Sequence, residues 1–452
     1  MEPISHDFAR HVLKRGANPL TPDARAEMLV VVRDYLGVTL GGSQIESARI
    51  AARYQQRYGA APAEASLLGH DTRLAAPAAA FANAVAAHSL DMDDTDRRSM
   101  LHMSAPVVSA ALSVSEAEGS SGGAFLCAVR VGCDIMLAIS EAANPGMRDR
   151  GFHSTAVCGV FGATAAAGLL LGLSEEKLVS AFGAAGAHAA GLFEIYGPTM
   201  QKSLHPGPAA QNGIVAARLA QFGFEGAPSI FDGKSGLFAA FAGNAEPDKA
   251  RASLGNDGAL GIEYKPYSCF RPIHSAIDCA LDLRQQIADT QSIAAIRIVR
   301  HPLWAAYHLI PAPQSEQEAK GSLNHGIAVA LVFGAALPEQ YSAAAIANPD
   351  VRRISSLLAV TVDPSLPRGD SCRLEITLAD GQTLVRAADF PRGSVERPLS
   401  EAEHEAKFRY LTRPLLKPEA ATEIMAEIAR LHSSSSIEML MTSLKTAATV
   451  DP

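Results

Sequence analysis

The chain has 452 residues, 48% of them apolar and 19% charged, and carries a formal net charge of −8. That length exceeds what one hydrophobic core usually serves, so two domains are expected. Acidic and basic residues are mixed along the chain with no basic stripe or arm, which argues against a nucleic-acid partner but not against an acidic substrate, because a pocket can be locally basic.

Six cysteines (Cys127, Cys133, Cys158, Cys269, Cys279 and Cys372) form no CxxC and no regular framework. Free thiols in a reducing compartment are the expectation. The opening MEPISHDFARHVLKRG lacks a basic stretch followed by an apolar one, so a cytoplasmic location is expected. The uncharged run from Ser154 to Ser174 is long enough to span a bilayer, but Ala and Gly dominate it. A buried helix is expected there, and no membrane partner.

In chain order, Thr21-Pro22-Asp23 offers an N-cap, a proline at the first helical position and an acid in the first turn. Met28, Val31, Val32, Tyr35 and Leu36 then follow at helical spacing. Similar periodic segments cover 45–58, 75–88, 105–118, 123–142, 155–171, 175–190 and 209–222, with small residues on their faces that permit close helix packing. After Ile262 the character changes. Segments 293–299 and 357–362 read as strands, and 373–378 with 383–386 as a hairpin turning at Ala379-Asp380-Gly381-Gln382. Helices are expected at 273–287, 315–333 and 340–347. Ser400 and Glu403 form a capping-box pattern that restarts helix, and 418–431 is another. The predicted fold is mainly α: a large all-α domain over 1–262 plus 398–452, with a smaller α+β domain over 263–397.

Several segments concentrate polar residues in apolar surroundings. His88-Ser89-Leu90-Asp91-Met92-Asp93-Asp94-Thr95 is followed by His102-Met103-Ser104. Its three aspartates suit capping or a metal loop, although the calcium-loop pattern fails for want of a glycine and a closing glutamate. Ser104 is an expected N-cap, which sets His102 near a helix start. His153 opens the uncharged helix, and Lys202 stands close to His205 in QKSLHPG. At the expected domain junction lies YKPYSCFRPIH, with Lys265, Arg271 and His274, and clefts between domains commonly bind small molecules. Tyr307 is either a core aromatic or a hydroxyl donor. Metal-ligand spacing, phosphate loops and a nucleophile elbow are all missing from the sequence.

The stretches HSLDMDDT with HMSAP, GFHSTAVCG, KSLHPG, YKPYSCFRPIHSAID and PQSEQEAK, in this order, resemble the MmgE/PrpD family. That family includes 2-methylcitrate dehydratases, cis-aconitate decarboxylases and iminodisuccinate epimerase. The resemblance implies an all-α domain with an α+β lid, a homodimer, a small carboxylic acid as substrate and no cofactor or metal. It also implies a site of Asp91, Thr95, His102, His153, Lys202, Lys265 and Tyr307, with His205 and His274 in the same motifs beside it; Arg271 and His274 are further candidates for substrate binding. Met103 departs from the family's usual proline after the first histidine.

Chemistry beside a carboxylate passes through a carbanionic, enediolate-like state that needs cations, hydrogen-bond donors and a proton carrier. The expected assignment is His102 as principal acid/base with His153 as partner, and Lys202, Lys265 and Arg271 for charge. Thr95 and Tyr307 are the expected donors, with Asp91 orienting a histidine or balancing charge. A cofactor-independent lyase, dehydratase or decarboxylase, is the first expectation. An epimerase is the second, and a non-catalytic carboxylate-binding protein is the reading from another class.

Overall fold

Helices carry most of the chain, in the order the apolar spacing predicts. The structure, a computed structural model, describes residues 2–447 apart from Tyr196, Asn244, Asn256 and residues 368–369. The Thr21 hydroxyl accepts from the Ala24 N–H at 3.3 Å and opens the helix Pro22–Gly42. Its predicted face, Met28 to Leu36, is buried.

Five helices rich in small residues form the centre: Ala76–Ser89, Ser104–Glu118, Gly122–Ala143, Ser154–Leu170 and Pro206–Gln221. Among the described residues, Gly122–Ala143 alone is long and apolar enough to cross a membrane, yet 89% of its apolar window is buried inside the fold. It is built as a core helix. Where it crosses Ser154–Leu170 the two backbones nearly touch. A Cβ on Gly132 would sit 2.8 Å from the Gly162 carbonyl oxygen, and one on Gly162 would sit 2.7 Å from that of Gly132.

One apolar core draws on residues between Ile4 and Tyr264 and again between Leu399 and Leu444. A second draws on residues between Tyr267 and Leu384. A small antiparallel pair, β1 (Ala65–Ser66) and β2 (Arg73–Leu74), lies beside the first core. The second contains β3 (Ile293–Arg300), β4 (Leu358–Val362), β5 (Cys372–Leu378) and β6 (Thr383–Ala388), ordered β4-β3-β5-β6. β3 and β4 are parallel and the other pairs antiparallel. The predicted hairpin is β5–β6, and its turn places Gly381 at φ +89°.

Three local expectations need correction. The helix expected over 315–333 is two, Glu316–Lys320 and Leu323–Phe333, because Ser322 accepts from the His325 N–H and starts a new one. The β1–β2 pair was not predicted, since strands of two residues show no alternation to read. Ser104 is not an N-cap but the first residue of its helix, which is capped by the distant Asp94 carboxylate through the N–H groups of Met103 (2.8 Å) and Ser104 (3.0 Å).

The glycine crossing generates a stability prediction. Gly162→Ala forces a methyl group against backbone that has no side chain to yield, which costs about 1–3 kcal/mol. Thermal melting of that variant should show the loss; an unchanged transition would contradict the close crossing.

Candidate active site

Beyond the helix Ala76–Ser89 the chain reverses at Asp91, whose φ of +58° lies in the left-handed region that Asp tolerates better than most residues. The reversal sends three buried aspartates in different directions. Asp91 Oδ1 accepts from Lys202 Nζ at 2.9 Å and from Lys265 Nζ at 2.6 Å. Asp93 Oδ2 faces two imidazoles, His88 Nδ1 at 2.7 Å and His102 Nδ1 at 3.2 Å. Asp94 caps the following helix. The orienting role expected of Asp91 therefore belongs to Asp93, while Asp91 holds the lysines.

These contacts decide the charges. Burial alone would raise Asp91 and Asp93, but Lys202 and Lys265 hold Asp91 below the usual carboxylate range. His88, His102 and Lys265 do the same for Asp93. Burial lowers the Lys202 ammonium despite Asp91, whereas Asp91 and Asp93 outweigh burial at Lys265 and raise it. Burial keeps His88 neutral, pushed down to about 3.

His102 Nδ1 lies 2.7 Å from the Asp94 carbonyl oxygen as well as beside the Asp93 carboxylate. Both neighbours are acceptors, so Nδ1 must carry the proton, which leaves Nε2 as the basic nitrogen of the neutral ring. The His102 N–H donates to Thr155 Oγ1 at 3.0 Å and pins the residue to the helix Ser154–Leu170. His153, at the start of that helix, lies with Nδ1 2.8 Å from His205 Nδ1. Burial lowers both rings, and His205 lowers His153 further, so one neutral ring donates to the other.

A cleft of about 510 Å³ runs between the first core and the α+β segment. Asp91, Thr95, His102, His153, Lys202, Lys265 and Arg271 all line it. Two expected residues do not. Tyr307 is 50% exposed and outside the lining, while its neighbours Trp304 and His308 face the cleft. His274 is fully buried behind Arg271 and hydrogen-bonded through Nε2 to the Cys269 carbonyl oxygen at 3.1 Å. Arg271 itself is held by Glu263 at 3.0 Å. Sequence reasoning missed His88, Asp93, Arg148, His308 and Asp370. The first two stood inside the HSLDMDDT motif without an assigned role.

The sequence shows no metal-ligand spacing, yet the fold gathers a carboxylate–histidine set at this site. His88, Asp93 and His102 bring one ligand atom each to within 4.8 Å of the others. The donor geometry favours hydrogen bonding, since the Asp94 carbonyl oxygen occupies the His102 Nδ1 direction that a metal would need.

Asp370 lines the cleft with Oδ2 buried and unpartnered among the described residues. Burial pushes its carboxyl up to about 6 against the pull of Arg271 and Arg97. In the unfolded chain an aspartate titrates near 4, so the folded state binds the proton more tightly and loses stability as pH rises between those values, by on the order of 2–3 kcal/mol. Asp370→Asn cannot ionise and should gain on the parent protein by that amount between pH 4 and pH 7 in denaturant melts. A difference that does not change with pH would contradict the assignment.

The chain matches the MmgE/PrpD N-terminal domain over residues 6–250 and the MmgE/PrpD C-terminal domain over residues 267–432. It is 29% identical to the cis-aconitate decarboxylase of Homo sapiens across 98% of this chain and 95% of that protein. It is 28% identical to that of Mus musculus, with 98% and 94% covered. A cis-aconitate decarboxylase-like protein of Aspergillus oryzae, oryM, is 25% identical over 83% of this chain and 84% of its own. The chain thus belongs to the MmgE/PrpD family, and it is an enzyme of the lyase type.

Proposed function

We propose that this protein is a cofactor-independent decarboxylase of a small unsaturated tricarboxylic acid of the cis-aconitate kind, and that the α+β unit over 263–397 is its lid. The observation that carries the reading is the Asp93–His102 couple, with a proton fixed on Nδ1 and Nε2 left for chemistry beside two lysines on one carboxylate. A site that only held an acid would use the lysines but not the couple. The activity named for the relatives weights decarboxylation over dehydration and over epimerisation.

In such an acid the carboxylate on the saturated carbon leaves as carbon dioxide. The pair from the broken C–C bond forms a new double bond, and the old double bond's pair moves to the carbon beside a remaining carboxylate. That carbon takes one proton, so the reaction consumes one proton for each carbon dioxide released. His102 in its imidazolium form delivers it from Nε2 while Nδ1–H stays on Asp93, which stabilises the cation before transfer. Two ammonium groups sharing Asp91 leave net positive charge for the carboxylate oxygens that gather the developing charge. The neutral His153, held by the neutral His205 at 2.8 Å, completes the wall.

Incubation with cis-aconitate in deuterated water containing excess chelator tests this directly. The expected outcome is stoichiometric carbon dioxide and a dicarboxylate bearing one new deuterium on carbon. Water loss from a hydroxy acid without carbon dioxide would instead mark a dehydratase. Deuterium exchange into an otherwise unchanged amino- or imino-dicarboxylate would mark an epimerase. Abolition by chelator with recovery on adding a divalent metal would overturn cofactor independence.

A further inference from the structure

Among the described residues, every cation lining the cleft has a carboxylate partner except one. Lys202 and Lys265 share Asp91, Arg97 and Arg271 share Glu263 at 2.6 and 3.0 Å, and Arg98 pairs with Asp96 at 2.9 Å. Arg148 also lines the cleft and forms no ion pair. It is held by weak contacts: its guanidinium lies 5.0 Å over the Phe193 ring, and Nη1 donates to Met100 Sδ at 3.0 Å. A thioether is a weak acceptor, so most of the five donors of this fork are uncommitted to a strong one.

Its position adds to the point. The Phe193 ring packs 5.7 Å from the His153 ring, so Arg148 stands one aromatic ring beyond the imidazole cluster. Its charge also adds to the lowering of His308, after burial and Arg300. The guanidinium therefore lies on the Phe193 side of the cleft, next to the ring that packs on His153.

A carboxylate entering this cleft loses hydration and needs positive charge that is not already spent. Arg97 and Arg271 are half-neutralised by the Glu263 they share, as the lysines are by Asp91. We propose that Arg148 anchors a substrate carboxylate remote from the reacting carbon, so that the site selects acids with one more carboxylate than the lysine pair holds. The proposal rests on the carboxylic-acid reading above. A planar fork suits a carboxylate through two parallel hydrogen bonds, which an ammonium cannot match.

Titration calorimetry with two non-reacting acids tests it: propane-1,2,3-tricarboxylate, and glutarate, which lacks the central carboxylate. The intact protein should bind the triacid more tightly. Arg148→Met should weaken the triacid about tenfold or more and the diacid less than about threefold, closing the gap. Arg148→Lys, which keeps charge without the fork, should fall between the two, and it carries the test if the methionine variant does not fold. Equal losses for both acids, or no loss, would overturn the assignment while leaving the carboxylate reading intact. Failure of the intact protein to bind either acid would overturn both.

Discussion

Three carboxylates buried within four positions of one loop are the constraint on which this site is built. An ionised carboxylate out of water costs several kcal/mol unless charge or hydrogen bonds compensate it. Each aspartate finds a different solution. Asp91 takes two ammonium groups, Asp93 two imidazoles, and Asp94 the start of a helix. The partners come from far along the chain, with Lys202 and Lys265 lying 111 and 174 positions from Asp91. Asp91 thus ties three segments at one carboxylate, while Asp93 and the Asp94 carbonyl set the angle at which His102 presents its free nitrogen.

The helical scaffold carries the same precision outward. Thr155, which accepts from the His102 N–H, and His153 both sit at the start of the helix Ser154–Leu170. That helix is set against Gly122–Ala143 through the contact of Gly132 with Gly162. His153 and Thr155 thus stand at the start of the helix whose middle makes that crossing. The small residues that gave these helices their weak apolar character are what allow the approach.

Much of the helical layout was legible because its signals are local. The Thr21 cap and the Ser400–Glu403 capping box act within one turn, and both are formed. The lysines and histidines were pointed to by resemblance to a family, since spacing alone left capping, metal and catalytic roles open for the same residues. What each aspartate does was not legible, because a left-handed turn at Asp91 sends the three apart and the partners of Asp91 lie more than a hundred positions away. Tyr307 illustrates the converse. It stands between Trp304 and His308, which both face the cleft, but the local turn leaves its own ring half exposed. Arg148 and Asp370 gave no signal at all, because what marks them is that, among the described residues, Arg148 has no carboxylate partner and Asp370 Oδ2 no hydrogen bond.

In the proposed reaction His102, oriented by Asp93, carries the proton. Turnover of His102→Gln, whose side chain keeps a polar group but cannot exchange a proton near neutrality, tests it most directly. The expected kcat is lower by roughly 100-fold or more, with KM for the same acid little changed and the melting transition preserved. Near-normal kcat in a folded variant would contradict it.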